Sequence, residues 1–466
     1  MCHRDAAVFW LLNESRGGDG LPIFGTAGVR GVFNSTQTPE QVYRLALTSA
    51  FTFGRGSYGV GWDGRKSSAL LARIVAAGIS SAGGQALLFG LVPTPVTAYG
   101  AREEKCKIGF AVTASHNPPE YSGVKFFDGR GMELPKEQEL RIERAMVVGA
   151  DMNSEEFGAV IHRDVLDSYC DKLVTRFGKS QKGLRIVVDC ANGPGALVTP
   201  RVLEALGHTV LALNAQVSWR FPARPPEPTP HNLADTAAIV QSLRADFGFA
   251  HDGDADRLVM INSEGKVLPD SMVSVLALRA LVRKGSNVVL SENTSSAVEE
   301  EAVTMGCRVV RSRVGKSFAE IEKEGAAFAT EPSKVVDPKW GMWEDGLYGA
   351  ALIADAASRD PELLKLTMAE PKWRYRQVNL PISVNLPEAA GRIEAEFARF
   401  RISETRRLDG LKLVFKDRSW IMFRSSGTEP KTRIYCESLD QLRLEELLES
   451  AKRVLEDVAA PGTGLR

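Results

Sequence analysis

The chain has no net charge to offer a partner: its 466 residues carry 58 Lys and Arg against 58 Asp and Glu. A balanced surface provides no long-range field, so nucleic acid and anionic membranes are disfavoured as partners, while local basic clusters remain free to hold a small phosphorylated ligand. Cysteine is sparse. The six, at positions 2, 106, 170, 190, 307 and 436, form no Cys-x-x-Cys pair, which argues against a disulfide framework or structural zinc and for free thiols in a reducing cytoplasm. No apolar run approaches the roughly 18 residues of a membrane span, and Met1 to Asp5 is charged without a following signal-peptide pattern. The expectation is a cytoplasmic chain with no membrane partner. Its length excludes a single core and, at roughly 100–200 residues per domain, predicts three or four domains.

What is present is organised around Thr113-Ala114-Ser115-His116-Asn117-Pro118-Pro119, set between the apolar runs Ile108 to Val112 and Val124 to Phe127. Two buried strands would hold this loop firmly while leaving its polar atoms free, which suits Ser115 to nucleophilic or phosphoryl chemistry. After a second apolar strand, Phe247 to Ala250, comes Asp252-Gly253-Asp254-Ala255-Asp256-Arg257-Leu258. Three carboxylates at alternate positions repel one another unless a cation sits among them, and hard oxygen ligands favour Mg²⁺ or Ca²⁺. An EF-hand is excluded, because its sixth and twelfth positions, Gly and Glu, are here Arg257 and Ser263. A third loop, Arg424-Ser425-Ser426-Gly427-Thr428-Glu429-Pro430, follows the run Trp420 to Phe423 and is succeeded by Lys431 and Arg433. Hydroxyls, a glycine and cationic side chains together make a phosphate cradle. Near the start, Phe24 to Gly31 has Gly at 25, 28 and 31 to bring backbone donors close to a ligand, and Arg30 adds a fixed positive charge.

Between these loops a unit of strand, small-residue turn, helix and strand occurs three times, starting at Gly59, Arg185 and Ser286, with helices predicted to close at Gly78, Gly207 and Gly306. The fold class is α/β: three similar domains with mixed, largely parallel sheets. From Pro371-Lys372-Trp373-Arg374 the pattern changes to strands and a final helix, Leu442 to Val458, a smaller α+β domain. Pro222 to Pro230 reads as an extended surface connector without chemistry, and residues 1–20, ending Arg16-Gly17-Gly18-Asp19-Gly20, as a partly ordered leader. The expected domains are 1–160 with the serine loop, 161–267 with the Asp loop, 268–372 with a sugar loop and 373–466 with the phosphate loop.

The stretches Phe24 to Gly31, Thr113 to Pro118, Asp252 to Leu258 and Arg424 to Pro430 resemble, in order and spacing, the four signature loops of the α-D-phosphohexomutase superfamily, the phosphoglucomutase, phosphomannomutase and phosphoglucosamine mutase group. The resemblance implies four domains around one central cleft and an isomerase that moves a phosphoryl group between O1 and O6 of a hexose phosphate. It implies that Ser115 is a phosphoserine in the resting enzyme, that Asp252, Asp254 and Asp256 hold Mg²⁺ against it with Ser115 among the ligands, and that a hexose 1,6-bisphosphate is intermediate and activator. Lys125 is the family-matched acid/base, its pKa expected to be lowered by neighbouring cations; His116 is a second candidate. Arg257 steadies the moving group, and Arg424, Ser426, Gly427, Thr428 and Arg433 clamp the phosphate that is not reacting.

The sugar loop departs from its relatives. Where many members read Gly-Glu-x-Ser-Gly-His, this chain has Thr330-Glu331-Pro332-Ser333-Lys334-Val335, and where a histidine often follows Val-Gly it has Val314-Gly315-Lys316. Glu331 and Ser333 keep the capacity to bond adjacent sugar hydroxyls, while Lys316 and Lys334 are expected to replace the histidines with positive charge near the substrate phosphate. Glucose or mannose phosphate is the expected substrate, with glucosamine phosphate the alternative. Two readings of other classes are a haloacid-dehalogenase-type phosphatase with Asp252 as nucleophile, and a silent sugar-phosphate sensor.

Overall fold

The computed structural model describes residues 23–25, 27–148, 156–425 and 431–459. Its first sheet contains β1 (Val29–Val32), β2 (Ser57–Trp62), β3 (Gln85–Leu91), β4 (Ile108–Val112), β5 (Tyr121–Asp128) and β6 (Val160–His162), in the order β1-β5-β4-β2-β3-β6. The second has β7 (Arg185–Asp189), β8 (Thr209–Leu213), β9 (Phe247–His251) and β10 (Leu258–Asn262), ordered β10-β9-β7-β8. The third has β11 (Asn287–Ser291), β12 (Arg308–Ser312), β13 (Phe328–Glu331) and β14 (Lys334–Val336), ordered β12-β11-β13-β14.

With the flanking β1 and β6 set aside, these sheets share one plan: two strands run parallel to a central first strand, and a fourth returns antiparallel to the third. The third strands are covered on both faces, and Ile108–Val112, Phe247–His251 and Phe328–Glu331 are buried at every position, the first apolar throughout. The hairpin from third to fourth strand leaves the same sheet edge in every repeat, and these hairpins are the serine, Asp and sugar loops.

Two of the predicted helix ends stand where expected. Gly207 and Gly306, at φ +96° and +74°, lie just past the helices Thr199–Ala205 and Ser296–Thr304. Gly78 does not end its helix, which runs Ser68–Ser81. A Cβ at Gly78 would lie 2.7 Å from the Tyr43 carbonyl oxygen and 2.9 Å from the Leu47 nitrogen, so this glycine lets the helix pack closely on the neighbouring helix Pro39–Phe53.

The last sheet, β15 (Arg374–Leu380), β16 (Ile402–Arg406), β17 (Leu411–Phe415), β18 (Trp420–Ser425) and β19 (Thr432–Ser438), is antiparallel throughout in the order β15-β19-β18-β17-β16. The final helix spans Gln441–Ala459 and buries Leu444, Leu447, Leu448, Ala451, Val454 and Leu455, the three-and-four spacing of an apolar face. This unit has its own core, whereas one continuous apolar cluster runs through the three α/β units. The sequence 222–230 is irregular as expected, yet it is more than a surface connector. Arg224 is buried, its Nε donating to Asp189 (2.9 Å) and its Nη2 to the His251 carbonyl (2.7 Å), which braces the strand that leads into the Asp loop. Among the described residues no helix is long and apolar enough to cross a membrane.

Candidate active site

Ser115 is buried and held at φ +52°, a left-handed conformation that costs a non-glycine residue about 1 kcal/mol or more. What imposes it is a side-chain frame the sequence reading missed. Arg65 donates from Nη2 to the carbonyls of Ser115 and Asn117, both at 2.6 Å, and from Nη1 to those of Pro118 (2.6 Å) and Tyr121 (3.2 Å). Asp63 anchors that guanidinium at 3.1 Å and accepts from Thr113 Oγ1 at 2.7 Å, while Thr113 Oγ1 accepts from the Ser115 nitrogen at 2.8 Å. The available signal was Asp63-Gly64-Arg65 directly after β2: an acid and a base two residues apart, at the strand end that faces the serine loop.

The frame turns Ser115 Oγ towards the Asp loop, where it donates to Asp252 Oδ2 at 2.8 Å; His116 Nδ1 lies 3.2 Å from the same oxygen. The two loops touch backbone to backbone, and a Cβ at Gly253 would sit 2.5 Å from the Ser115 carbonyl oxygen, so only glycine permits the approach. Burial and the nearby cations Arg257 and Arg30 hold the His116 imidazole well below the usual histidine range, hence neutral.

Asp252, Asp254 and Asp256 are buried with ligand oxygens all within 4.8 Å of one another. Burial and repulsion from Asp256 and Asp254 push the Asp252 carboxyl up to about 8. Burial opposes the charge on Asp256 too, but Lys125, Lys334 and Arg257 outweigh it and hold that carboxyl far down. Thr94 Oγ1 donates to Asp254 Oδ2 at 2.6 Å, another contact the sequence reading missed. Asp254 Oδ1 and Asp256 Oδ1 are buried with no hydrogen-bond partner among the described residues. Unpartnered carboxylate oxygens cost several kcal/mol in a dry site, and a hard divalent cation is the group they fit.

Lys125 corrects the expectation made for it. It is buried, with Nζ 2.7 Å from both Asp254 Oδ2 and Asp256 Oδ2. Burial favours the neutral amine, but the two carboxylates prevail and its pKa is raised, so Lys125 stands as an ammonium and not as a ready base.

The sugar loop joins this cluster through its backbone: the Ser333 carbonyl accepts from Leu258 N at 2.8 Å, with Ser333 at φ +64°. Glu331 accepts from Gly315 N at 2.6 Å, and burial together with Glu344 pushes its carboxyl up to about 7. Both lysines expected to bring positive charge near the substrate phosphate have acidic partners. Lys334 is ion-paired with Glu344, and Lys316 Nζ is 3.6 Å from Glu139 Oε1. The Lys334 pair is mostly buried, so Lys334→Met should cost about 3 kcal/mol of stability by stranding Glu344, in addition to any rise in KM. Thermal denaturation of the double variant with Glu344→Gln should recover most of that loss; no recovery would show that the lysine acts elsewhere.

Arg30 and Arg257 each keep a buried Nε without a hydrogen-bond partner among the described residues, and both act electrostatically on this cluster. The fourth unit supplies Arg424 and Arg433, which face each other across β18 and β19. Arg424 Nε donates to Asp409 at 2.9 Å, and the same carboxylate accepts from Val314 N at 3.0 Å, so the base of the phosphate loop is tied to the loop beneath Glu331. Ser426, Gly427 and Thr428 lie outside the described residues.

Three family models match the chain in order: "Phosphoglucomutase/phosphomannomutase, alpha/beta/alpha" domain I over residues 21–150, domain II over 167–265 and domain III over 268–372. The chain is similar to a phosphopentomutase of Thermococcus kodakarensis, 34% identical over 92% of this chain and 97% of that protein. It is similar also to a "probable phosphoglucosamine mutase" of Methanopyrus kandleri, 35% identical over 93% of this chain and 99% of that protein. Among solved structures it is similar to a phosphoglucomutase/phosphomannomutase family protein of Burkholderia thailandensis, with TM-score 0.82, 26% identity, and coverage of 96% of this chain and 100% of that one.

Proposed function

The chain belongs to the phosphoglucomutase/phosphomannomutase family, and from that premise we propose that it is a hexosamine-phosphate mutase that exchanges the phosphoryl group between O1 and O6 of glucosamine phosphate. It is a phosphomutase of the isomerase class. The observation that carries the mechanism is Ser115 Oγ donating to Asp252 at 2.8 Å, with the Lys125 ammonium bridging the other two carboxylates of the same loop.

In the first half-reaction a sugar hydroxyl attacks phosphorus and gives up its proton while the bond to Ser115 Oγ breaks and that oxygen is protonated; in the second, Ser115 takes back the other phosphoryl group of the bisphosphate and the sugar oxygen that leaves is protonated. Each time Ser115 attacks, its proton must leave, and the acceptors in reach are Asp252 Oδ2 and the neutral His116 Nδ1. Lys125, Arg257 and Arg30 contribute positive charge to a phosphoryl group in flight, the largest need of such a transition state. Asp252, Asp254 and Asp256 would hold Mg²⁺ with an oxygen of phosphorylated Ser115, and the bound ion supplies charge neutralisation there. Glu331 and Ser333 recognise the sugar, and Arg424, Arg433 and loop residues Ser426, Gly427 and Thr428 retain the distal phosphate.

The amino sugar replaces the glucose or mannose expected from sequence, and two things support it. Curated relatives across more than nine-tenths of the chain are named for glucosamine phosphate. The sugar side of the cleft also carries the carboxyls of Glu133, Glu331 and Glu344, whose charged forms burial opposes; Glu344 pairs with Lys334, and an amino sugar would offer positive charge to Glu331. A second reading, pentose phosphate, has the Thermococcus kodakarensis relative in its favour. A coupled assay with the 1-phosphates of glucosamine, glucose, mannose and ribose separates them. The expected result is a kcat/KM for glucosamine 1-phosphate at least about tenfold above the others, the discrimination that about 1.4 kcal/mol in the transition state provides. A higher value for glucose or mannose refutes the proposal, ribose in first place establishes the second reading, and no exchange with any of them leaves the silent sensor.

A further inference from the structure

Away from the cleft, where the third and fourth units meet, lies a cavity of about 510 Å³. One wall is the helix Ser296–Thr304 with Arg311 of β12; the other is formed by Trp373, Arg406, Lys412, Arg418 and Trp420 of the fourth unit. The lining carries Arg311, Arg406, Lys412, Lys416 and Arg418 against Glu299 and Glu300. Those two carboxylates are already engaged, Glu299 by Arg311 and Glu300 by Arg418 and Lys372, and Arg406 is itself paired with Glu404 beside the lining, at 2.7 and 2.8 Å.

Lys412 is the centre of the surplus. It is 3% exposed, its Nζ stacks 3.9 Å from the centroid of the Trp420 ring, and it donates to the Glu292 carbonyl at 2.6 Å, with the Glu292 carboxylate 3.4 Å away. Burial, and after it the neighbouring Arg311, push its pKa down to about 7 in spite of Glu292. Two donors on the lining residues are unused: Trp373 Nε1, on a side chain 5% exposed, and Arg311 Nε are buried with no partner among the described residues. A native fold rarely strands such groups without a ligand to meet them.

We propose that this cavity is a second binding site, for a phosphate monoester of nucleotide or sugar-phosphate size. The phosphate suits the cations of Arg311, Arg406 and Lys412, and the volume leaves room for an organic body against Trp373. Because Arg311 belongs to the third unit and the other cations to the fourth, an occupant spans both and favours the arrangement in which they face one another. The inference stands on this junction alone and does not depend on the mutase reading.

Calorimetric titration of the full-length protein with adenosine 5′-monophosphate, and separately with inorganic phosphate, tests it. Arg406→Gln and Arg418→Gln alter side chains 28% and 57% exposed, so both variants should fold; together they should weaken nucleotide binding at least about tenfold, the effect of losing one to two charge-assisted contacts. Arg257→Gln, in the cleft, should change it less than about twofold, since sites this separate act additively. Equal affinity for inorganic phosphate and the nucleotide would overturn the monoester reading. Loss of binding in Arg257→Gln with retention in the double variant would place the nucleotide in the cleft, and no heat from the wild type at millimolar nucleotide would remove the site altogether.

Discussion

Ser115→Ala is expected to lower kcat by about a thousandfold or more while the protein stays folded. The two halves of that expectation come from different properties of one residue. Turnover is lost because the proposed reaction passes through Ser115 Oγ, and no neighbour is placed to replace it: Asp252, Asp254 and Asp256 are engaged with Ser115, Thr94 and Lys125. Stability survives because the frame that sets the loop, Arg65 with the Ser115 and Asn117 carbonyls, bonds backbone oxygens and is indifferent to the side chain at 115. The two lost hydrogen bonds, to Asp252 and His116, contribute about 1 kcal/mol each. Intact-mass analysis of the wild type after exposure to a hexose bisphosphate should show a phosphate adduct, and peptide mapping should place it on Ser115. An adduct on Asp252 would return the chemistry to the phosphatase type, although the four-unit architecture is that of the phosphohexomutases.

The second large effect concerns the metal. In buffer stripped by EDTA, turnover should fall to about 1% or less and return with Mg²⁺. A readout independent of activity is available, because an ion that binds only the folded state at a hundred times its Kd stabilises it by about 2.7 kcal/mol. The wild type should therefore melt higher in Mg²⁺. Asp252→Asn should lose that increment yet melt no lower than the wild type without metal, since it removes the carboxylate that Asp254 and Asp256 repel and keeps an acceptor for Ser115 Oγ. A wild type whose melting temperature ignores Mg²⁺ and whose activity survives EDTA would sink the claim. So would an Asp252→Asn variant that is destabilised only when metal is absent.

The parts that depend on local pattern are legible in the residues alone. Apolar runs bounded by polar loops marked the strands on either side of Ser115 and of the Asp loop, because a strand covered on both faces is largely apolar. Alternate aspartates pointed to a cation site because like charges on one short loop repel wherever the loop ends up, and the fold gathers their oxygens within 4.8 Å of one another. Glycine after a helix was read correctly at 207 and 306, where local backbone conformation sets the choice, and wrongly at 78, where the backbone of a helix distant in the fold sets it.

Which charges are paired, and with what, is settled by the fold. Lys125 was expected to sit among cations and give up its proton; the fold sets it between Asp254 and Asp256, residues some 130 positions away, and makes it an ammonium. Lys334 was expected to bring positive charge near a phosphate, and the fold pairs it with Glu344. Arg65, by sequence one arginine among many, becomes the clamp on the serine loop because β2 and β4 are neighbours in the sheet and their ends coincide. The physical reason is common to all three. A backbone's preference is settled within a few residues of chain, but a side chain's charge state is settled by whatever lies within about 5 Å of it, and in a sheet whose strand order departs from chain order those neighbours come from distant parts of the sequence.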